Sequence, residues 1–204
     1  MTPRLTRQQC QYCHFPQTHC LCGIVNKITS RDQLVVLQHP SEVKHGKNSV
    51  RLLPLALDFV RVAVGECADD FVDIRQWLSQ QNKPVYLLYP SETSIDVGTA
   101  KQSTASILIV LDGTWRKVHK MLQLNPWLYE LPQLHISPDK PSQYRIRKAK
   151  RSDSLSSLEA AAYGLQALEP ELNIEPLFTL FDAMITQQIN AMPPDVRRRY
   201  EPES

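Results

Sequence analysis

Ser106-Ile107-Leu108-Ile109-Val110-Leu111 is a short, almost wholly apolar run rich in β-branched residues, which predicts a buried strand. Asp112-Gly113-Thr114-Trp115 follows directly, and then Trp115, Val118 and Leu122 recur at helical spacing, with Arg116, Lys117, His119 and Lys120 on the other face. An acid, a glycine, a hydroxyl and an indole therefore sit at a strand-to-helix turn. In open α/β sheets ligands bind there, outside the carboxyl ends of the strands. The same residues have plainer uses: Asp112 or Thr114 can cap the helix, and Trp115 can fill a core.

The pattern on either side of that turn repeats. Gln33 to Leu37 predicts a strand ending at His39-Pro40-Ser41-Glu42, and Leu53, Leu57 and Val60 give a helical pattern with Pro54 in its first turn. Val60 to Val64 predicts another short strand. Phe71 to Gln80 predicts a helix, with Ile74, Trp77 and Leu78 on one face, followed by a strand from Val85 to Leu88 that ends at Tyr89-Pro90-Ser91. Gln133 to Ile136 predicts the last strand. Ser156-Ser157-Leu158-Glu159 has the form of a capping box, and Leu158, Ala161, Ala162, Leu165 and Leu168 supply the apolar stripe of the helix it opens. Pro170 stops that helix; a further one is expected from about Pro176 to Asn190, ended by Pro193-Pro194. Strands alternating with helices predict an α/β fold, a mostly parallel sheet with helices on both faces.

A chain of 204 residues suits one moderate domain, here with a small appendage. The absence of an apolar run of 18 residues, and of an apolar stretch after Met1 to Gln9, predicts a cytoplasmic protein with no membrane partner. Neither G-x-G-x-x-G nor a P-loop occurs among only six glycines, so a nucleoside-containing cofactor would have to be held by other loops. The net charge of +2 hides a cluster, since Lys140, Arg145, Arg147, Lys148, Lys150 and Arg151 lie close together beside Tyr144. Cations so grouped suit phosphates, and the tyrosine can stack on a base; a solvated basic loop is the plainer reading. Arg197-Arg198-Arg199 reads equally as a phosphate contact or a tail.

Cys10, Cys13, Cys20 and Cys22 form C-x2-C-x6-C-x-C, whereas Cys67 stands apart as a small hydrophobe. Four clustered thiols in a reducing compartment point to a closed, tetrahedral and therefore structural zinc site. The tight C-x-C pair leaves room for His14 or His19 to replace one cysteine.

The ordered set of the amino-terminal cysteines, His39-Pro40, Asn48-Ser49, Asp112 to Trp115, Ser137 to Tyr144 with Arg145 to Lys148, and Ser156 to Ala160 with Glu159 resembles the DTW-domain family, named for its Asp-x-Thr-Trp signature. The resemblance runs over nearly the whole chain. It implies an S-adenosylmethionine-dependent tRNA-uridine aminocarboxypropyltransferase, with a zinc knuckle at 1–26 and a SPOUT-like catalytic domain at 27–204 whose cofactor pocket is a carboxyl-terminal trefoil knot. The implied reaction moves the 3-amino-3-carboxypropyl group to N3 of a uridine, giving acp3U and methylthioadenosine. Catalytic roles fall on Asp112, Thr114 and Trp115. Asp112 is either the base for N3 or the grip on the donor's ammonium, and Trp115 stacks on adenine or on the flipped uracil. Donor contacts fall on Asp112, Thr114, Ser142, Tyr144, Arg147, Ser157 and Glu159, and RNA contacts on Lys140, Arg145, Lys148, Lys150 and Arg151. Ser157 stands where the family pattern has threonine, keeping the hydroxyl without the methyl, and capping alone would account for Glu159. His39 and Glu42 are open between a loop role and substrate contact. The implied partner is tRNA, not DNA, and the oligomeric state stays open. Two other readings keep the same residues: an RNA methyltransferase on the same scaffold, and a non-catalytic zinc-containing RNA-binding module.

Overall fold

A computed structural model of the chain describes residues 8–99, 104–136 and 155–200. The apolar run before Asp112 lies at the centre of a six-stranded parallel sheet. In chain order the strands are β1 (Gln33–Gln38), β2 (Val60–Val64), β3 (Val85–Leu88), β4 (Ile95–Asp96), β5 (Ile107–Asp112) and β6 (Gln133–His135). Their spatial order is β2-β1-β5-β3-β6-β4, with every pairing parallel. The helices are α1 (Pro40–Val43), α2 (Leu53–Ala56), α3 (Val72–Ser79), α4 (Trp115–Leu124), α5 (Ser157–Leu168), α6 (Glu175–Asn190) and α7 (Pro194–Arg197).

Both faces of the central strands are covered, which is why these strands are continuously apolar rather than alternating. Successive side chains of a strand point to opposite faces. Leu34, Val36, Leu108, Val110 and Leu134 accordingly pack with α2, α5 and α6, through residues such as Leu53, Leu165, Leu177 and Phe181. Val35, Leu37, Ile107, Ile109 and Leu111 pack on the other side with Phe71 and Ile74 of the α3 region and Val118, Met121 and Leu122 of α4. Each fully buried aliphatic side chain contributes about 1.5–3 kcal/mol. Gly164 lets α5 lie directly on the sheet, because a Cβ there would stand 2.7 Å from Leu108 Cδ2 and 3.2 Å from Leu88 Cδ2.

One expectation is corrected, and one strand lay outside the expectations. The Leu53, Leu57 and Val60 pattern is not one helix: α2 is a single turn, Leu57 leaves it in extended conformation, and Val60 opens β2. Sheet pairing wins over helical spacing there, with Leu34 N–H donating to Phe59 O at 2.9 Å and Ile28 N–H to Ala56 O at 2.7 Å. The two-residue edge strand β4 was not foreseen, being too short to show alternation. The trefoil knot and the SPOUT-like topology turn on the path of 137–154, which lies outside the described residues. No helix among the described residues is long and apolar enough to cross a membrane.

The base of the sheet is fastened by a buried carboxylate. Asp32, 1% exposed, accepts from both Ser106 N–H and Ser106 Oγ at 2.7 Å, and pairs with Arg31 Nη2 at 3.1 Å. Arg31 also donates to Leu168 O at 2.8 Å, meeting a carbonyl at the end of α5, while Glu169 accepts from Ser30 Oγ and Arg31 N–H. Removing one member strands the others, so Asp32→Ala is expected to lower stability by about 3–5 kcal/mol. Denaturant titration would read this as a fall in midpoint with unchanged slope.

Candidate active site and metal centre

A cavity of about 520 Å³ opens at the carboxyl ends of β3, β5 and β6 and is closed on one side by the start of α5. Leu88, Tyr89 and Pro90 come from the end of β3, Gly113 and Trp115 from the turn after β5, and His135 and Ile136 from the end of β6. Leu155, Ser156, Ser157 and Ala160 line it from the start of α5 and the two residues before it, with Val110, Leu111, Val118 and Leu134 beneath. The size lies within the range of small-molecule sites.

Trp115 lies at this cavity and not in a core: it is 52% exposed, and its ring centroid stands 6.4 Å from that of Tyr89 at an interplanar angle of 59°. Two aromatic faces offered at a partly open wall suit the stacking of a planar base. Burial pushes the Tyr89 phenol above its ordinary pKa. His135 Nδ1 lies 3.1 Å from Ser94 Oγ, which fixes its ring at the cavity wall.

Neither capping reading of the turn holds in the form anticipated. Thr114 is the N-cap residue of α4, yet its exposed side chain makes no capping bond, and Asp112 belongs to β5. Register decides where the Asp112 carboxylate goes. Gln38 and Asp112 are paired neighbours on parallel strands, so both point toward the α5 face. Gln38 Nε2 donates to Asp112 Oδ2 at 2.8 Å, and Ser157 Oγ donates to Asp112 Oδ1. One carboxylate thus joins β1, β5 and the first turn of α5.

That first turn has the expected capping box. Ser156 N–H donates to Glu159 Oε2 at 2.7 Å and Glu159 N–H to Ser156 Oγ at 3.2 Å, with Glu159 fully buried. The box frees neighbouring Ser157 to face the cavity and Asp112 at once. Ser142, Tyr144, Arg147, Lys140, Arg145, Lys148, Lys150 and Arg151 lie outside the described residues. Of the carboxyl-terminal arginines, Arg197 ends α7, and Arg198 and Arg199 lie in the following 3₁₀ turn.

A second polar network borders the turn on the opposite side. His39 Nδ1 meets Ser41 Oγ at 2.9 Å and His39 Nε2 meets Glu66 Oε1 at 3.3 Å, while Lys120 reaches Glu66 at 2.9 Å. Lys117 of α4 joins Glu42 at 2.8 Å and Ser41 Oγ at 2.6 Å. The Lys120 ammonium, with His39 after it, holds the Glu66 carboxyl below its ordinary pKa. Gly113 passes this network closely; a Cβ there would meet Lys117 Cβ at 3.2 Å and His39 Cβ at 3.6 Å. These contacts give His39 and Glu42 a loop-fixing role. Gln38, Tyr89 and His135 were given no functional role in the sequence reading, although each marks a strand end, where an apolar run turns polar, and Asn48 figured there only as part of the resemblance.

The four amino-terminal cysteines converge, with all Sγ atoms within 4.8 Å of one another, Cys10 to Cys22 at 3.6 Å and Cys13 to Cys20 at 3.8 Å. A tetrahedron with metal–sulfur bonds of about 2.3 Å has edges of about 3.8 Å, so the set fits one metal ion. Neither His14 nor His19 belongs to it. His14 instead makes the turn, in the left-handed region at φ 56°, where histidine is tolerated better than most residues. Backbone hydrogen bonds from Cys13 and Tyr12 pull the Cys10 thiol down to about 6, whereas Cys10 and Cys20 push Cys22 up to about 12. Thiols this close cannot all ionise without a cation between them. The knuckle rests on the main body: Phe15 and Leu21 join the core of α5 and α6, and Arg51 stacks 3.5 Å over Phe15 while donating to His14 O at 2.9 Å.

A tRNA-uridine aminocarboxypropyltransferase 2 of Drosophila melanogaster is 30% identical over 198 residues, covering 87% of this chain and 75% of its own length. The protein of that name in Mus musculus is 29% identical over 171 residues, 80% of this chain, which spans little more than half (57%) of the mouse protein. A tRNA-uridine aminocarboxypropyltransferase A of Arabidopsis thaliana is 23% identical over 195 residues, 81% of this chain and 74% of its own. The DTW domain matches residues 7–189, nearly the whole length, and the chain belongs to the DTW-domain family.

Proposed function

We propose that this protein transfers the 3-amino-3-carboxypropyl group of S-adenosylmethionine to N3 of a uridine in tRNA, releasing methylthioadenosine. The relatives' names support the acceptor and the group transferred. The observation that carries the reading is the cavity itself, whose two kinds of wall match the two ends of such a donor. Tyr89 and Trp115 offer ring faces to a nucleobase, whereas Ser156, Ser157 and the nearby Asp112 carboxylate sit where an amino acid arm would end. The start of α5 favours the arm's carboxylate and Asp112 its ammonium. Both Asp112 oxygens already receive hydrogen bonds, which suits holding a cation in a fixed place.

All three carbons on the sulfonium are electrophilic, so position decides which is attacked. Gripping the amino acid end presents the carbon of that arm bonded to sulfur. Uridine N3 then forms its bond to that carbon, the carbon–sulfur bond breaks with its electron pair going to sulfur, and the N3 proton leaves to a base. Folded tRNA presents N3 poorly, and the base is splayed out to react. Thr114 and Trp115 border its path. Ser142, Tyr144 and Arg147 complete the donor site in this proposal, and Lys140, Arg145, Lys148, Lys150 and Arg151 meet phosphates. Glu159 serves through Ser156, whose position it holds. The knuckle, residues 1–26, carries structural zinc and buttresses the catalytic remainder, 27–204.

A methyltransferase would leave a methyl on the uridine and a binding module would leave tRNA unchanged. Nucleoside mass spectrometry of tRNA incubated with the protein and S-adenosylmethionine should find acp3U; methyluridine alone, or no adduct, overturns the proposal. Asp112→Ala is expected to keep the fold and tRNA affinity while lowering transfer about 100-fold, and normal transfer by that variant would remove Asp112 from the mechanism. Metal analysis should find one zinc per chain. Chelation or Cys13→Ser should lower the melting temperature and free Phe15 from Arg51, with faster proteolytic cleavage within the first 26 residues as the readout.

A further inference from the structure

Gln38 is the last residue of β1 and only 3% exposed, so its amide is buried at the end of an otherwise apolar strand. A buried amide is costly unless paired, and an aliphatic side chain would have continued the packing of Leu34 and Val36. The amide is paired with the site. Its Nε2 is shared between Asp112 Oδ2 at 2.8 Å and Asn48 Oδ1 at 3.3 Å. Two acceptors facing one end of the amide leave only one orientation, with the donor turned to the carboxylate. Asn48 is held in turn, since its Nδ2 donates to Val43 O at 3.2 Å.

We infer that Gln38 is a positioning residue that, together with Asn48, fixes the Asp112 carboxylate for binding the amino acid end of the donor. The inference rests on the donor site proposed above. The line of hydrogen bonds runs from the loop after α1, through Gln38 and Asp112, to Ser157 at the cavity. Without Gln38 the carboxylate keeps Ser157 but loses the hydrogen bond on the β1 side that sets its orientation. Gln38 touches no donor itself; it acts through Asp112.

A double-mutant cycle on donor affinity, with S-adenosylmethionine titrated calorimetrically into the full-length protein, tests this. Gln38→Met keeps length and volume. It is expected to weaken binding about tenfold in the native background, the loss of one hydrogen bond to a charged group. In the Asp112→Ala background the same change should cost less than about twofold, because a residue acting through Asp112 has nothing left to hold. Asn48→Ala, should Gln38→Met fail to fold, is expected to weaken binding by about threefold with the same dependence on Asp112. Equal losses in both backgrounds, as a purely structural role requires, overturn the inference, as does no loss in either. A native protein that binds no S-adenosylmethionine overturns the donor site and this inference together. A native protein that binds it while Gln38→Met binds equally well overturns this inference alone.

Discussion

The pairing of β1 with β5 is the constraint from which the rest follows. Parallel register keeps a constant offset between partners, and it is marked at both ends by side chains. Asp32 reaches Ser106 at the base, and Gln38 reaches Asp112 at the top, each pair 74 residues apart. Between them, Leu34 to Leu37 and Ile107 to Leu111 are apolar and buried. A slip of one residue would send Asp112 to the α4 side, away from Ser157, and break both polar pairs at once. The site is thus aligned by the same ladder that holds the core.

The second partner of the site is a helix brought unusually close. Gly164 gives α5 its short approach to Leu108 and Leu88. The capping box then fixes where the helix begins, so Ser157 meets Asp112 from a rigid turn rather than from a loop. Rigid elements place side chains more narrowly than loops can, which is what the proposed choice of one carbon among three would require. On the far side of the turn, His39, Glu66, Lys117 and Glu42 hold the backbone near Gly113 without entering the cavity.

Much of this was legible in the sequence, because the signals were local. Five of the six strands, the capping box at Ser156 and the cysteine cluster follow from apolar runs, cap chemistry and spacing, all contained within short windows. Asp112 at a strand end was visible for the same reason. Gln38 was not: nothing near it in sequence says that its amide faces a carboxylate 74 residues away, since only strand order and register supply that. Likewise the exposure of Trp115 against Tyr89 depends on β3 lying beside β5, which no periodicity encodes. The helical pattern at Leu53 to Val60 misled because spacing cannot register the pull of a neighbouring strand. Two-residue β4 carries too little alternation to be read at all.

The order β2-β1-β5-β3-β6-β4 has a consequence for how the chain comes together. Only β1 and β2 are both sequential and adjacent; every other contact in the sheet awaits a strand made later. As the chain leaves the ribosome, β1 and β3 stay without their common neighbour until residue 112 has emerged, and their bare apolar edges persist through that interval. Long-range closure of this kind slows folding and leaves apolar edges open for longer, which is the cost of a candidate site placed on the innermost strand.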